Sequence, residues 1–541
     1  MKNRLQLLLS ILSGLLLYAG WSLSGLEFLV FFAFVPLLYI EHQYSQKGKP
    51  SLKVFIYAYT AFFVWNLFST WWIVYATVWG GIAAVVFNAL FYTIVFWLFH
   101  ITKAKTGPRF GDMAFIFYWI AFEYIYLHGE ISWTWLVLGN AFANHPKIIQ
   151  WYEYTGTLGG SLWILSINFI IYKFIICYRD TCGTKRLQTF RIVSLLAIII
   201  IPIAWSIYKY NSFQESGKKV EIVVVQPNID PYNEKFSESY PPIQQVNKII
   251  SLANPLITPN TSYIVAPETA IPTGIWEENL YNNYLTAPLL SYVKKHPNIN
   301  IVIGATTYKN YGNKKETPTA RMIRGISDTI YYDAFNTALQ INTRNIDTYH
   351  KSKLVIGVEM LPYPNILGPL LQNFIIDLGG TTGSLGTQKE RSVFVSNDSI
   401  TKVGPVICYE SIYGEFVTGY IKKGANILFV ITNDGWWNDT PGYKQHLSYS
   451  RLRAIETRRD IARSANTGIS AFINARGDIL DKTQWWTPIA IKHTLHLHNR
   501  ITFYVKHGDY IGRISLFFSV LLLISVLSLN FIKKKNRYLH Q

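Results

Sequence analysis

The sequence has few cysteines and lacks the short motifs that bind nucleotides or metal ions. Only 3 of its 541 residues are cysteine, which is too few for a disulfide framework. It contains no Walker loop, no GxGxxG motif after a predicted strand, and no Cys/His cluster with metal-ligand spacing. These absences argue against a disulfide-rich secreted domain, a nucleotide-dependent enzyme and a metalloenzyme. We therefore predict neither a cofactor nor a metal ion.

Charged residues are also scarce, whereas apolar and aromatic residues are abundant. Charged side chains make up 15% of the chain and hydrophobic residues 50%, with 17 Trp, 36 Tyr and 32 Phe. This composition is typical of an integral membrane protein. We predict about eight transmembrane helices, because apolar stretches lie at residues 5–23, 27–41, 54–76, 79–100, 113–128, 161–178, 191–208 and 514–532.

The basic residues between these stretches predict the orientation of the chain. They follow the second, fourth, sixth and eighth apolar stretches; Lys103 and Lys105, for example, follow the fourth. The loops on the opposite side contain almost no Lys or Arg. By the positive-inside rule, the polar region therefore lies outside the cytoplasm. The same loops explain much of the net charge of +18, and no basic run with interleaved aromatics indicates nucleic-acid binding. We predict a membrane bundle at 1–209, an extracytoplasmic domain at 210–511, and a final helix with a basic tail at 512–541.

The polar region alternates short β-rich runs with helical stretches. Its continuous Val/Ile runs indicate strands that are buried on both faces, and they end in polar residues. This alternation predicts a layered α/β enzyme fold. The runs lie at residues 220–226, 262–268, 299–306, 425–434 and 468–475, and the longest predicted helix spans 443–465.

Three predicted strand ends carry residues suited to acyl-transfer chemistry. These are Glu268 in "VAPETAIP", Lys351 in "TYHKSKLVIGVEMLP" and Cys408 in "VGPVICYESIYGE". A thiol that attacks an acyl carbon needs a base, and the resulting oxyanion needs a cation or aimed donors. Each residue also has a purely structural interpretation: Cys408 as a small buried hydrophobe, Glu268 as a helix cap and Lys351 as a solvated charge. Their joint occurrence favours catalysis.

These three segments, in this order, resemble the nitrilase superfamily, which uses a Glu, Lys, Cys triad on an αββα sandwich. Within it, "VVQPNID", "APETAIP", "CYESIYGE", "TNDGWW" and "RLRAIETRRDIARSANTGISAFINARGDI" resemble the apolipoprotein N-acyltransferase family. Seven helices before the polar region and one after it fit the same family. The resemblance implies a multi-pass α-helical membrane protein that carries an extracytoplasmic nitrilase-like αββα sandwich.

The resemblance also implies roles for individual residues. Glu268 would be the general base, Lys351 the oxyanion-stabilising cation and Cys408 the nucleophile. Supporting or substrate-binding roles fall on Glu359, Tyr409, Glu410 and Trp436. Gln226 and Asn228 match the end of the family's first strand. The matches in the long helix motif, which we expect to stabilise the fold, are Arg453, Glu456, Arg463, Ser464 and Asn466. Phe236 lies near a position where the family usually has tryptophan, and Glu123 is either a head-group contact or a hydrogen-bonded acid inside the bundle.

The family resemblance implies a two-step acyl exchange. The Cys408 thiolate would take an acyl chain from a phospholipid such as phosphatidylethanolamine and pass it to the α-amine of a lipoprotein's diacylglyceryl-cysteine. The partners would be that phospholipid, the diacylated apolipoprotein and the membrane, with no nucleic acid. The location would be the bacterial cytoplasmic membrane, with the catalytic domain on the periplasmic side. Two alternatives remain: a membrane-anchored amidase that uses water as acceptor, and a transporter or receptor with an inactive binding domain.

Overall fold

The computed structural model describes residues 2–46, 50–179, 185–324, 329–360, 363 and 384–539. The chain divides into two compact units, Met1–Ser212 with His507–Gln541, and Phe213–Lys506. These boundaries lie a few residues from the predicted ones at 209/210 and 511/512.

The first unit is a helical bundle. Within the described residues, seven helical segments are long and apolar enough to cross a membrane, and a shorter apolar helix, Asn3–Ala19, precedes them. Together they account for the eight predicted apolar stretches. The helices are α1 Lys2–Ala19, α2 Val35–Ser45, α3 Leu52–Thr70, α4 Val78–Thr106, α5 Pro108–His128, α6 Tyr152–Arg179, α7 Lys185–Ser212 and, after the second unit, α13 Tyr510–Leu539.

Helix α6 begins earlier than the apolar pattern predicts. Residues 152–160, which precede the predicted apolar stretch, are helical, and the helix is interrupted at Gly156, where φ is 61° and ψ is −170°. Only glycine adopts this conformation without a steric penalty. Glu123 on α5 is fully buried, and its Oε1 accepts hydrogen bonds from Trp119 Nε1 at 3.0 Å and Leu138 N at 2.9 Å. The structure therefore supports the second interpretation of Glu123, that of a hydrogen-bonded acid inside the bundle.

The second unit contains two β-sheets. In the described residues one sheet has eight strands in the order β14-β1-β2-β4-β6-β5, with β3 beside β4 and β7 beside β6, and the other has six strands in the order β13-β12-β11-β10-β9-β8. The strands are β1 Lys219–Gln226, β2 Thr261–Val265, β3 Ile271–Trp276, β4 Asn300–Asn310, β5 Arg321–Arg324, β6 Thr329–Ile341, β7 Ile346–His350, β8 Phe394–Val395, β9 Lys402–Ile407, β10 Ile427–Thr432, β11 Ile461–Ala465, β12 Ala471–Ile473, β13 Ile479–Lys482 and β14 Ile489–His496. The helices are α8 Pro242–Ala253, α9 Ala287–Lys295, α10 Gly414–Lys422, α11 Pro441–Thr457 and α12 Phe503–His507.

The period-2 alternation of strand side chains builds the four layers of this unit. Along β1, Ile222 and Val224 pack into the core that contains Phe429 and Ile431 of the other sheet. Val223 and its alternate neighbours face the opposite way, into a second core with helices α8 and α9. Helices α10 and α11 cover the outer face of the six-stranded sheet. The predicted αββα sandwich is therefore confirmed.

The predicted helix at 443–465 is wrong in its last third, after residue 457. Helix α11 ends at Thr457, because Arg458 adopts the left-handed conformation with φ 49° and ψ 54° as the C-terminal cap. Residues 461–465 then form β11, which pairs with β10 on one side and β12 on the other. The segment is fully buried between two strands, and this tertiary pairing outweighs its local helical pattern.

Candidate active site

Three strand ends of the second unit bring Glu268, Lys351 and Cys408 together. Glu268 follows β2, Lys351 follows β7 and Cys408 follows β9. All three are almost fully buried, with exposed fractions of 6%, 1% and 9%. The geometry thus assembles the three residues that the sequence proposed as base, cation and nucleophile.

Hydrogen-bond donors contact both carboxylate oxygens of Glu268. Oε1 accepts hydrogen bonds from Lys351 Nζ at 2.9 Å and from Asn336 Nδ2 at 2.7 Å. Oε2 accepts a bond of 3.1 Å from the backbone N–H of Asn433, at the end of β10. Burial alone would raise the pKa of Glu268, but the ammonium of Lys351 and these donors hold it below its ordinary value. Glu268 is therefore ionised at neutral pH and able to accept a proton.

Lys351 lies between two carboxylates. Its Nζ donates to Glu268 and, at 2.9 Å, to Glu359 Oε1. Its backbone N–H donates to the carbonyl of Asn336 at 2.8 Å, and Asn336 Nδ2 also contacts Glu359 at 3.0 Å. Burial disfavours the ammonium, yet the two carboxylates raise the pKa of Lys351 well above its ordinary value. The side chain is a fixed cation in a site shielded from water.

Cys408 occupies a strained turn between β9 and a short 3-10 helix, Cys408–Ile412. Its φ of +48° is unusual for a residue other than glycine. Burial raises the pKa of the thiol, and the charge of Glu268 raises it further, while Lys351 opposes the rise. The resting thiol is therefore protonated, and it needs Glu268 to take its proton as it attacks.

Glu410 positions both the nucleophile and the cation. Its Oε1 accepts hydrogen bonds from Ser352 N and Tyr349 Oη, both at 2.7 Å, and its Oε2 accepts one from Ile407 N at 2.9 Å. Ile407 directly precedes Cys408, and Ser352 directly follows Lys351. Glu410 is a positioning residue, since it fixes the backbone beside both reacting groups.

Sequence reasoning named Arg463 but missed His446 and Asp434, with which it forms a buried network behind Cys408. His446 Nε2 lies 3.3 Å from the carbonyl oxygen of Cys408 and 3.0 Å from Ser411 Oγ. His446 Nδ1 lies 2.9 Å from Asp434 Oδ1, and Arg463 donates to Asp434 Oδ2 at 2.6 Å. Although Cys408, Asp434 and His446 present ligand atoms within 4.8 Å of one another, Arg463 already supplies the positive charge there. The network supports the strained turn of Cys408.

Lys235 was also missed, because a lysine in a polar loop after β1 suggests a solvated charge. Its side chain is buried, and Nζ donates to the backbone carbonyl of Glu268 at 3.2 Å and to Thr269 Oγ1 at 2.5 Å. Burial lowers the pKa of Lys235 to about 8, against the opposing charges of Glu268 and Cys408. Lys235 and Lys351 together balance the charges of Glu268 and Glu359.

The remaining predicted site residues lie around this centre. Tyr409 is buried and packs edge-on against Tyr413, with the ring centroids 5.3 Å apart. Trp436 is partly buried, and Tyr232 meets its ring edge-on at 5.2 Å and donates to its carbonyl at 2.9 Å. Phe236 is 42% exposed, and its ring centroid lies 6.0 Å from the Nζ of Lys235.

The residues that the resemblance assigned to the fold are buried and hydrogen-bonded. Arg453 donates to Glu456 at 2.9 Å and to the carbonyl of Ile412 at 2.6 Å, just after the nucleophile turn. Asn466 links two loops, since its Oδ1 accepts from Ile229 N at 3.0 Å and its carbonyl accepts from Asn228 N at 2.9 Å. Similar interior bonds are made by Gln226, Arg463 and Ser464.

Two family profiles match the chain. One, described as the apolipoprotein N-acyltransferase N-terminal domain, matches residues 13–170. The other, described as carbon-nitrogen hydrolase, matches residues 222–499. The first profile falls in the helical bundle and the second in the unit with the two sheets, so together they cover most of both units.

Curated relatives match over nearly the whole length. The chain is 29% identical over 523 residues to an apolipoprotein N-acyltransferase of Chlorobaculum tepidum, covering 94% of each chain. It is 25% identical over 566 residues to apolipoprotein N-acyltransferase 1 of Treponema denticola, covering 99% of each. Among solved structures, an amidase from Nesterenkonia sp. aligns at 14% identity and a TM-score of 0.36, over 55% of this chain and 97% of the amidase.

Proposed function

The chain belongs to the carbon-nitrogen hydrolase family, in its apolipoprotein N-acyltransferase branch, and we propose that it N-acylates lipoproteins by a two-step exchange through Cys408. In the first step an acyl chain leaves a membrane phospholipid, phosphatidylethanolamine being the expected donor. In the second step the chain passes to the α-amine of an S-diacylglyceryl-cysteine at a lipoprotein's N-terminus. The observation that carries the proposal is the buried Glu268–Lys351–Cys408 site in a chain that also holds the N-terminal domain of this family.

The first step begins with the protonated thiol. Cys408 Sγ attacks the ester carbonyl carbon while its proton moves to Glu268, and the carbonyl oxygen becomes an oxyanion stabilised by the Lys351 ammonium. Collapse breaks the ester C–O bond, and Glu268 returns the proton to the leaving alkoxide. The products are a Cys408 thioester and a lysophospholipid. Because the resting thiol has a raised pKa, proton transfer accompanies attack instead of preceding it.

In the second step the thioester is the acyl donor, and Cys408 is the leaving group. The neutral α-amine attacks the thioester carbonyl, Glu268 accepts a proton from the nitrogen, and the C–S bond breaks. The thiolate then recovers the proton from Glu268, which leaves an amide and the resting enzyme. Both lipid substrates reside in a bilayer, so we place the catalytic unit at the periplasmic face of the cytoplasmic membrane. The aromatic side chains of Tyr232, Phe236 and Trp436 suit such an interface.

The proposal is tested with purified protein in phosphatidylethanolamine vesicles and a synthetic diacylglyceryl-cysteine peptide. We expect the peptide to gain the mass of one acyl chain for each lysophospholipid formed, and Cys408→Ala to form neither product. Release of free fatty acid without a mass gain on the peptide would instead indicate a hydrolase that uses water. Full peptide acylation by Cys408→Ala would refute the covalent route.

A further inference from the structure

Two histidines and two carboxylates meet at the end of the sandwich opposite the catalytic residues. Asp460 directly precedes β11, which runs parallel to β9 and β10, whereas Cys408 directly follows β9. His496 ends β14 and His498 lies two residues later, while Glu215 lies in the segment before β1. The cluster is therefore separate from the catalytic site.

The four side chains form a closed ring of nitrogen and oxygen atoms. Glu215 Oε2 lies 3.5 Å from His498 Nε2 and 3.9 Å from His496 Nδ1. Asp460 Oδ1 lies 3.0 Å from His498 Nε2, and Asp460 Oδ2 lies 3.8 Å from His496 Nδ1. A zinc ion bound at about 2.0–2.1 Å by four tetrahedral ligands separates those ligands by about 3.3 Å. The four edges of the ring, from 3.0 to 3.9 Å, bracket that spacing, and the ligand atoms of Glu215, Asp460 and His496 all lie within 4.8 Å of one another.

Backbone contacts hold these ligands in place without a metal ion. The N–H of His496 donates to Asp460 Oδ2 at 2.8 Å. The N–H of His498 donates to the carbonyl of Asn426 at 3.0 Å, and the N–H of Leu497 donates to the carbonyl of Lys218 at 2.9 Å. These bonds link the segment that contains Glu215 to the end of β14, and they link His498 to the residue that precedes β10. Little reorganisation is needed to bind an ion.

Burial and charge also fit a cation. The side chain of Asp460 is fully buried, while those of His496 and Glu215 are 21% and 28% exposed, so the cluster is open on one side. Asp460 and Glu215 raise the pKa of His498 to about 9 against the effect of burial, so a metal ion must displace a proton from this imidazole. With both imidazoles neutral, the four side chains carry a charge of −2, which one divalent cation neutralises. Imidazole and carboxylate together are a ligand set that zinc accepts.

We propose that Glu215, Asp460, His496 and His498 bind one zinc ion, which joins the segment before β1, β14 and the turn before β11. The sequence predicted no metal because these ligands are spread from residue 215 to residue 498 and form no short motif. The site is independent of the acyl-transfer chemistry. The competing interpretation is a set of ion pairs between protonated histidines and the two carboxylates.

The test measures zinc binding by full-length protein in detergent micelles. All variants carry Cys408→Ala, so that the active-site thiol does not contribute, and any histidine tag is removed. We expect one equivalent of zinc by calorimetric titration, with at least a tenfold weaker affinity in Glu215→Gln and in His498→Gln. The matched control is His493→Gln, which changes a histidine on the same strand that packs against Phe472. That variant should bind zinc as the parent does.

Two further readouts distinguish a metal site from a set of ion pairs. Cobalt should produce the intense visible absorption of tetrahedral coordination, and this absorption should be absent in Glu215→Gln. Zinc should raise the melting temperature of the parent but not of Glu215→Gln. Glu215 is partly exposed, so this variant should fold even if His498→Gln does not. No stoichiometric binding by the parent, or unchanged binding by Glu215→Gln, would overturn the proposal.

Discussion

Replacing Lys351 with methionine separates its contribution to charge balance from its contribution to catalysis. In the folded site, Lys351 and Lys235 offset Glu268 and Glu359, so the four formal charges sum to zero. Lys351→Met leaves a net charge of −1 in a buried site where Nζ had donated two bonds of 2.9 Å. Uncompensated buried charges of this kind cost about 3–5 kcal/mol of unfolding free energy.

The double variant Lys351→Met/Glu359→Gln restores the charge balance without restoring the cation. We expect it to recover about 2 kcal/mol of the lost unfolding free energy, because Glu268 and Lys235 again form a neutral pair. Catalysis should not recover. An oxyanion that loses one aimed donor typically costs about 100–1000-fold in rate, or about 3–4 kcal/mol, and neither variant has the donor.

The assay measures thioester formation from phospholipid in a single turnover, beside thermal unfolding monitored by tryptophan fluorescence. We expect both variants to form the thioester at least about 100-fold more slowly than the unsubstituted protein. The melting temperature of the double variant should lie between those of the single variant and the unsubstituted protein. If the double variant regained both stability and the rate of thioester formation, Lys351 would act only through charge balance, and its role at the oxyanion would be refuted.

Three further predictions concern the residues around the triad. Glu410→Gln should lower the unfolding free energy by about 2–4 kcal/mol and slow thioester formation, since an amide cannot accept all the bonds that fix Ile407 and Ser352; unchanged melting would contradict this. The pKa of Asp434 lies below its ordinary value because Arg463 stabilises the carboxylate, so the unfolding free energy should fall as pH drops below about 4. In Asp434→Asn the unfolding free energy should depend less on pH below about 4. Burial lowers the pKa of Lys235 to about 8 from 10.5, so stability should rise by about 3 kcal/mol between those pH values, and Lys235→Met should lack the rise.

Local sequence patterns predicted the features that depend on local chemistry. Long apolar stretches predicted the helices of the bundle, and continuous Val/Ile runs predicted the buried strands. Glu268 and Cys408 were proposed as site residues from their positions at the ends of such runs, although they follow strands of two different sheets. The structure brings them together with Lys351.

Features that depend on tertiary contacts were not predictable in this way. Residues 461–465 carry a helical pattern, but pairing on both sides makes them a strand. Lys235 looks like a surface lysine until the fold places it against the carbonyl of Glu268. His446 and Asp434 are twelve residues apart in a region with many polar side chains, so nothing local distinguishes their buried pair.

The most direct test of the central claim is the intact mass of the protein after incubation with phosphatidylethanolamine and no acceptor. The account predicts an adduct with the mass of one acyl chain, which is cleaved by neutral hydroxylamine and is absent from Cys408→Ser. It also predicts that a diacylglyceryl-cysteine peptide removes the adduct and gains the same mass. Peptide acylation without any acyl adduct on Cys408, or an adduct that persists in Cys408→Ser at another residue, would contradict it.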